Sequence, residues 1–168
     1  LNPKVHKDNL NSILNKLKIK LKGKVLLLGI GNSLRGDDGF GNALARDLEG
    51  KISLKVLEAG SAPENFLGII IKEKPNTVLF VDAVDFGGEI AEMCLWNLKK
   101  IKTKNLFFTH NSSLSLIFNF LKENTQANFY LLAIQPKSIG FQDKMSPQLR
   151  KQLEELRRWF QERYGICA

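Results

Sequence analysis

The chain has 168 residues, 43% apolar and 25% charged, the balance of an ordinary globule long enough to bury a core. Its two cysteines, Cys94 and Cys167, form no C-x-x-C pair, which excludes a thiolate zinc cluster and argues against a disulfide scaffold. No apolar run approaches the roughly 20 residues that span a bilayer, so no membrane span is expected, and a reducing, cytoplasmic location is the natural expectation.

The net charge of +8 is unevenly spread. Residues 1–24 hold Lys4, Lys7, Lys16, Lys18, Lys20, Lys22 and Lys24 against Asp8 alone, so most of the excess sits in the N-terminal arm. Such an arm could bind nucleic acid, but no aromatic residue is interleaved in it to stack on bases. A solvated basic extension over residues 1–23 is the expectation. The apolar stretch after the lysines is short and turns polar at Gly29, unlike a signal peptide.

In chain order, Leu10, Ile13, Leu14 and Leu17 predict a helix by their spacing. From Lys16 the pattern turns to strict alternation, with Leu17, Ile19 and Leu21 between lysines, and predicts an extended segment or edge strand. Val25–Ile30 is a continuous apolar run that reads as a buried parallel strand. Phe40, Leu44 and Leu48 predict a helix closed by Gly50. Residues 53–58 predict a second strand. Ser61-Ala62-Pro63-Glu64 matches a capping box ahead of a helix carrying Leu67, Ile70 and Ile71. Further strands are predicted at 77–81, 89–96, 105–108 and 128–134, with a helix carrying Leu114, Ile117, Phe118 and Leu121 between the last two. Ser146 and Pro147 open a final helix whose stripe is Leu149, Leu153, Leu156, Phe160 and Tyr164. The alternation of strands and helices implies one α/β domain: a three-layer α/β/α sandwich with a mostly parallel, twisted sheet.

In such sheets ligands bind beyond the carboxyl ends of the strands. Three strand ends here carry potential metal ligands: Gly36-Asp37-Asp38-Gly39 after the first, Asp82 and then Asp85 after 77–81, and Thr109-His110-Asn111 after 105–108. If those three strands are parallel neighbours, Asp38, Asp82 and His110 converge on one rim. Two carboxylates and an imidazole form an O,O,N set that suits nickel or zinc and leaves positions open, whereas calcium wants more oxygens. Asp37 could equally serve as a turn or cap residue, and Asp85, before Phe86-Gly87-Gly88, suits turn chemistry. Both carboxylates of the set are expected to be ionised near neutrality. Gly29-Ile30-Gly31 is not a dinucleotide fingerprint, because Leu34 stands where the third glycine belongs. Ser33 lies in no G-x-S-x-G context.

The segment Gly31-Asn32-Ser33-Leu34-Arg35-Gly36-Asp37-Asp38-Gly39-Phe40-Gly41 resembles the opening motif of the [NiFe]-hydrogenase maturation endopeptidases. Val81-Asp82-Ala83-Val84-Asp85 and Thr109-His110-Asn111 resemble their later motifs. Gly60-Ser61-Ala62-Pro63-Glu64-Asn65 and Ile134-Gln135-Pro136 are similar to the branch that processes formate-hydrogenlyase-type hydrogenases. The resemblance implies an aspartyl-type endopeptidase that trims the C-terminal extension of a hydrogenase large-subunit precursor after nickel insertion. It implies that Asp38, Asp82 and His110 contact nickel carried by the precursor, with zinc or cadmium as surrogates. Where relatives carry Asp-Gly-Gly this chain has Glu58-Ala59-Gly60, one methylene longer in reach. Two other classes stand beside this reading: a metallopeptidase with a permanent zinc, and a nucleic-acid-binding module led by the basic arm.

Overall fold

The computed structural model describes residues 9–101, 113–141 and 144–167. Five strands form one sheet: β1 (Val25–Ile30), β2 (Lys55–Gly60), β3 (Thr77–Ala83), β4 (Met93–Asn97) and β5 (Asn128–Ile134). Their order is β2-β1-β3-β5-β4. All neighbours are parallel except β4, which runs antiparallel along β5. β1, β3 and β5 are buried on both faces, which is why they read as unbroken apolar runs.

Helices α1 (Leu10–Lys20), α2 (Phe40–Leu48) and α5 (Pro147–Tyr164) cover one face, and α3 (Leu67–Glu73) and α4 (Ser113–Asn124) cover the other. Strand alternation divides the core accordingly. Leu27, Leu79 and Leu132 pack under α1, α2 and α5, while Leu28, Phe80 and Leu131 pack under α3 and α4. The expected three-layer α/β/α architecture is therefore present.

Four local expectations need correction. The alternating stretch 16–20 is helix, not strand: α1 runs through it. Leu10, Ile13, Leu17 and Leu21 keep a three-to-four spacing, and Ile13, Leu17 and Leu21 are buried in the core on the sheet face that α2 and α5 also cover, with α1 against β4, while Ile19 faces out. The capping box at Ser61 does not form. Pro63 instead opens a 3₁₀ turn, Pro63–Phe66, that leads into α3 with no side-chain cap. β2 and β4 start two and four residues later than the pattern suggested, and the residues before them form turns. Finally, β3 is flanked by β1 and β5, so the strand beside it is 128–134. Segment 105–108, expected in that neighbourhood, lies outside the described residues.

Candidate active site

The carboxyl ends of β1, β3 and β5 lie side by side, and each leads into a loop that builds one rim. After β1 the chain turns sharply at Gly31, whose φ of 141° is open to glycine. A Cβ there would strike the Asp38 carbonyl, so only glycine lets the loop fold back on itself. Asn32 N donates to both the carbonyl (3.2 Å) and the carboxylate (3.3 Å) of Asp38. The Asn32 side chain accepts from Leu34 N, closing an Asx turn. These bonds hold Asp38 half-buried in the 3₁₀ turn Gly36–Gly39.

Asp37, its neighbour, is fully buried and does different work. Its carboxylate accepts from Ser146 N at 2.6 Å and from Lys137 N at 2.8 Å. Ser146 is the N-cap residue of α5, so Asp37 supplies the negative charge that a helix N-terminus favours. Ser146 has the capping place but makes no side-chain capping bond, and its hydroxyl is buried with no partner among the described residues. The choice left open for Asp37 thus resolves to a structural clamp between the β1 loop and the β5–α5 loop.

Asn42 fastens the other side. Its amide donates to the Gly31 carbonyl at 2.6 Å and accepts from Gly60 N at 2.9 Å. Only a side chain with both a donor and an acceptor can bridge a carbonyl and an N–H in this way. Glu58, the departure from Asp-Gly-Gly, is ion-paired with Arg46 of α2, which also reaches Ser33 Oγ at 3.4 Å. Gln135, just after β5, accepts from Phe86 N and Gly88 N and donates to Asp85 and to the Pro136 carbonyl. Asp85 also accepts from Gly87 N, the turn chemistry expected of it. Asn42 carried no sequence signal, because its partners lie 11 and 18 residues away. Gln135 stood out only through its motif.

Asp82 closes β3 in the middle of the rim, opposite Ala133 of β5. It is 5% exposed, and its pKa is pushed up from 3.8 to about 8. Burial is the main cause and the charge of Asp38 the second, with a backbone hydrogen bond from Ala83 opposing them. The expectation that both carboxylates ionise near neutrality therefore fails for Asp82, which is largely protonated at pH 7. The charge of Asp38 acts on Asp82 across the rim. His110 lies outside the described residues. Among the described residues no three His, Cys, Asp or Glu side chains form a metal-binding group.

Comparison with known proteins shows the family of the chain. The family model for hydrogenase maturation protease matches residues 40–159. The chain belongs to the hydrogenase maturation protease family. It is thus a peptidase hydrolase of hydrogenase maturation, and neither rival class finds support. The hydrogenase 3 maturation protease of Escherichia coli K12 is 34% identical over 131 residues, covering 77% of this chain and 83% of that protein. The crystal structure of a [NiFe] hydrogenase maturation protease from Thermococcus kodakarensis superposes with a TM-score of 0.77 at 31% identity, covering 89% of this chain and 96% of that one. The E. coli maturating endopeptidase HybD shares the fold at a TM-score of 0.66 and 19% identity, covering 81% and 88% of the two chains. No helix among the described residues of this maturation protease is long and apolar enough to cross a membrane.

Proposed function

We propose that this protein is a cytoplasmic endopeptidase that removes the C-terminal extension of a [NiFe]-hydrogenase large-subunit precursor after nickel insertion, and that Asp38, Asp82 and His110 grip the nickel which the precursor carries. The observation that supports this reading is the pairing of Asp38 and Asp82 on one rim, beyond the neighbouring strands β1 and β3, in a chain of the hydrogenase maturation protease family. Burial and the charge of Asp38 raise the Asp82 pKa, and a cation bound there would favour its ionised form. The two carboxylates with an imidazole give the O,O,N donor set that suits nickel, or zinc and cadmium in its place. The metal is part of the substrate and supplies Lewis acidity beside the scissile bond.

The chain's own residues supply position and protonation. Asp38 is held at the rim by Asn32 N, and Asp82 by the end of β3. Without a cation Asp82 keeps its proton at neutral pH, so the rim presents one charge instead of two. Ligation displaces that proton and leaves an aspartyl pair anchored to the precursor. The peptide to be cut is then held beside the site by proximity. Metal insertion thereby becomes the condition for cleavage.

The test is incubation with nickel-loaded and nickel-free large-subunit precursor, read by intact mass. Loss of a C-terminal peptide from the loaded form alone is expected. Equal cleavage of the nickel-free form would overturn the nickel requirement.

A further inference from the structure

The rim has a second feature that the metal grip does not use. Among the described residues, the two most exposed large apolar side chains are Phe141, 83% exposed, and Leu34, 80% exposed. Both lie on rim loops: Leu34 four residues before Asp38, and Phe141 in the loop between β5 and α5. Arg35 joins the two loops, with its guanidinium carbon 4.8 Å from the centre of the Phe141 ring. Its Nε–H is covered and meets no acceptor among the described residues. The Asp37 clamp ties these same loops together, so the edge is held in register with Asp38 rather than hung on a free loop.

An exposed aromatic ring stacked with an arginine has a recognisable use. Arginine and aromatic residues are enriched among the residues that carry most of the binding energy at protein interfaces. The stacking also pre-orders the Arg35 side chain, which lowers the entropy lost when a partner arrives. A ligand on this edge would need an apolar side chain for Leu34 and Phe141 and an oxygen acceptor for the cationic Arg35. An extended peptide offers both. Whatever docks here also comes within reach of Asp38, which sits in the same short loop.

We infer that Leu34, Arg35 and Phe141 form the docking edge for the precursor segment that flanks the scissile bond, receiving one of its apolar side chains and a carbonyl or carboxylate oxygen. The inference rests on the proposed function and extends it from the metal to the peptide.

The experiment is steady-state cleavage of nickel-loaded large-subunit precursor by wild type, Arg35→Ala, Arg35→Lys and Phe141→Ala, with melting curves on each. The two alanine variants should raise KM about tenfold or more while kcat stays within about threefold, and Arg35→Lys should fall between, since it keeps the charge without the planar stack. Melting temperatures should stay near that of wild type, because Phe141 is largely exposed and Arg35, half-buried on its loop, belongs to neither core cluster. Unchanged KM in both alanine variants, with wild type active, would overturn the docking edge and leave the proposed function standing. A fall in kcat and melting temperature at constant KM would show a structural role and overturn it as well. A wild-type protein that cleaves no loaded precursor would instead bring down the proposed function, and the edge with it.

Discussion

Asp37 and Asp82 are both buried carboxyls on one rim, yet they live in opposite surroundings. Asp37 receives two short backbone N–H bonds, one of them from a helix N-terminus. Asp82 is desolvated and faces the charge of Asp38, with a backbone hydrogen bond only partly offsetting both. The first arrangement satisfies a charge and fixes two loops. The second withholds satisfaction and leaves a group whose protonation depends on what comes near. Burial alone does not separate architecture from chemistry here; the supply of donors does.

The comparison breaks most visibly in activity. Asp38→Asn or Asp82→Asn should lower processing of nickel-loaded precursor at least about a thousandfold while the fold persists, since each removes a carboxyl group proposed to ligate the metal. Full processing by either variant, measured by product mass, would remove that residue from the mechanism.

The next effect is in stability and carries a sign. Below the ordinary carboxyl pKa of 3.8, Asp82 is neutral whether the chain is folded or not, and its burial carries no titration penalty. Between 3.8 and about 8 the unfolded chain ionises while the folded chain does not, so stability falls as pH rises and the loss is complete above about 8. Asp82→Asn does not titrate. In metal-free buffer the variant should therefore gain on wild type between pH 4 and pH 8.5, by on the order of 3–5 kcal/mol in urea denaturation. A constant difference across that range would mean that Asp82 ionises as freely folded as unfolded.

Asp37→Ala should go the other way. It strands one buried and one part-buried N–H group and should destabilise the protein by about 2–3 kcal/mol at neutral pH, with Asp37→Asn losing less because one acceptor remains. An effect under about 0.5 kcal/mol would show that the clamp contributes little. Asn42→Ala should be the mildest, about 1–2 kcal/mol, because its partners lie near the rim where water can replace the lost bonds. A melting curve for each variant suffices.

Legibility in the sequence follows the range of the interactions. β1 and β5 were readable to the residue, because strands covered on both faces need unbroken apolar runs and no partner has to be known. Asp38 and Asp82 were readable as candidates because a strand end followed by a carboxylate is a local pattern. α1 was misread where Lys16, Lys18 and Lys20 frame Leu17 and Ile19: the alternation is real in composition, but burial follows Ile13, Leu17 and Leu21. The clamp at Asp37 and the brackets at Asn42 and Gln135 were illegible as such. Each bonds backbone groups far along the chain, and nothing in a local window announces such partners. The raised pKa of Asp82 was missed for the same reason, as it depends on how deeply the sheet end is covered.

The reach of the Asp37 clamp has a bearing on biogenesis. It joins positions 109 residues apart, and its second anchor is the start of the last helix. Contacts of such separation pay a large loop-closure entropy and form late in folding. A nascent chain that has emerged only as far as β5 already carries Asp38 and Asp82 but lacks the backbone N–H groups of Lys137 and Ser146 that seat the Asp38 loop. The turn beside Asp38 therefore locks only once α5 has been made and has docked. The order of events on the ribosome would then spare a half-made protease from holding a metal site that is open but unshaped.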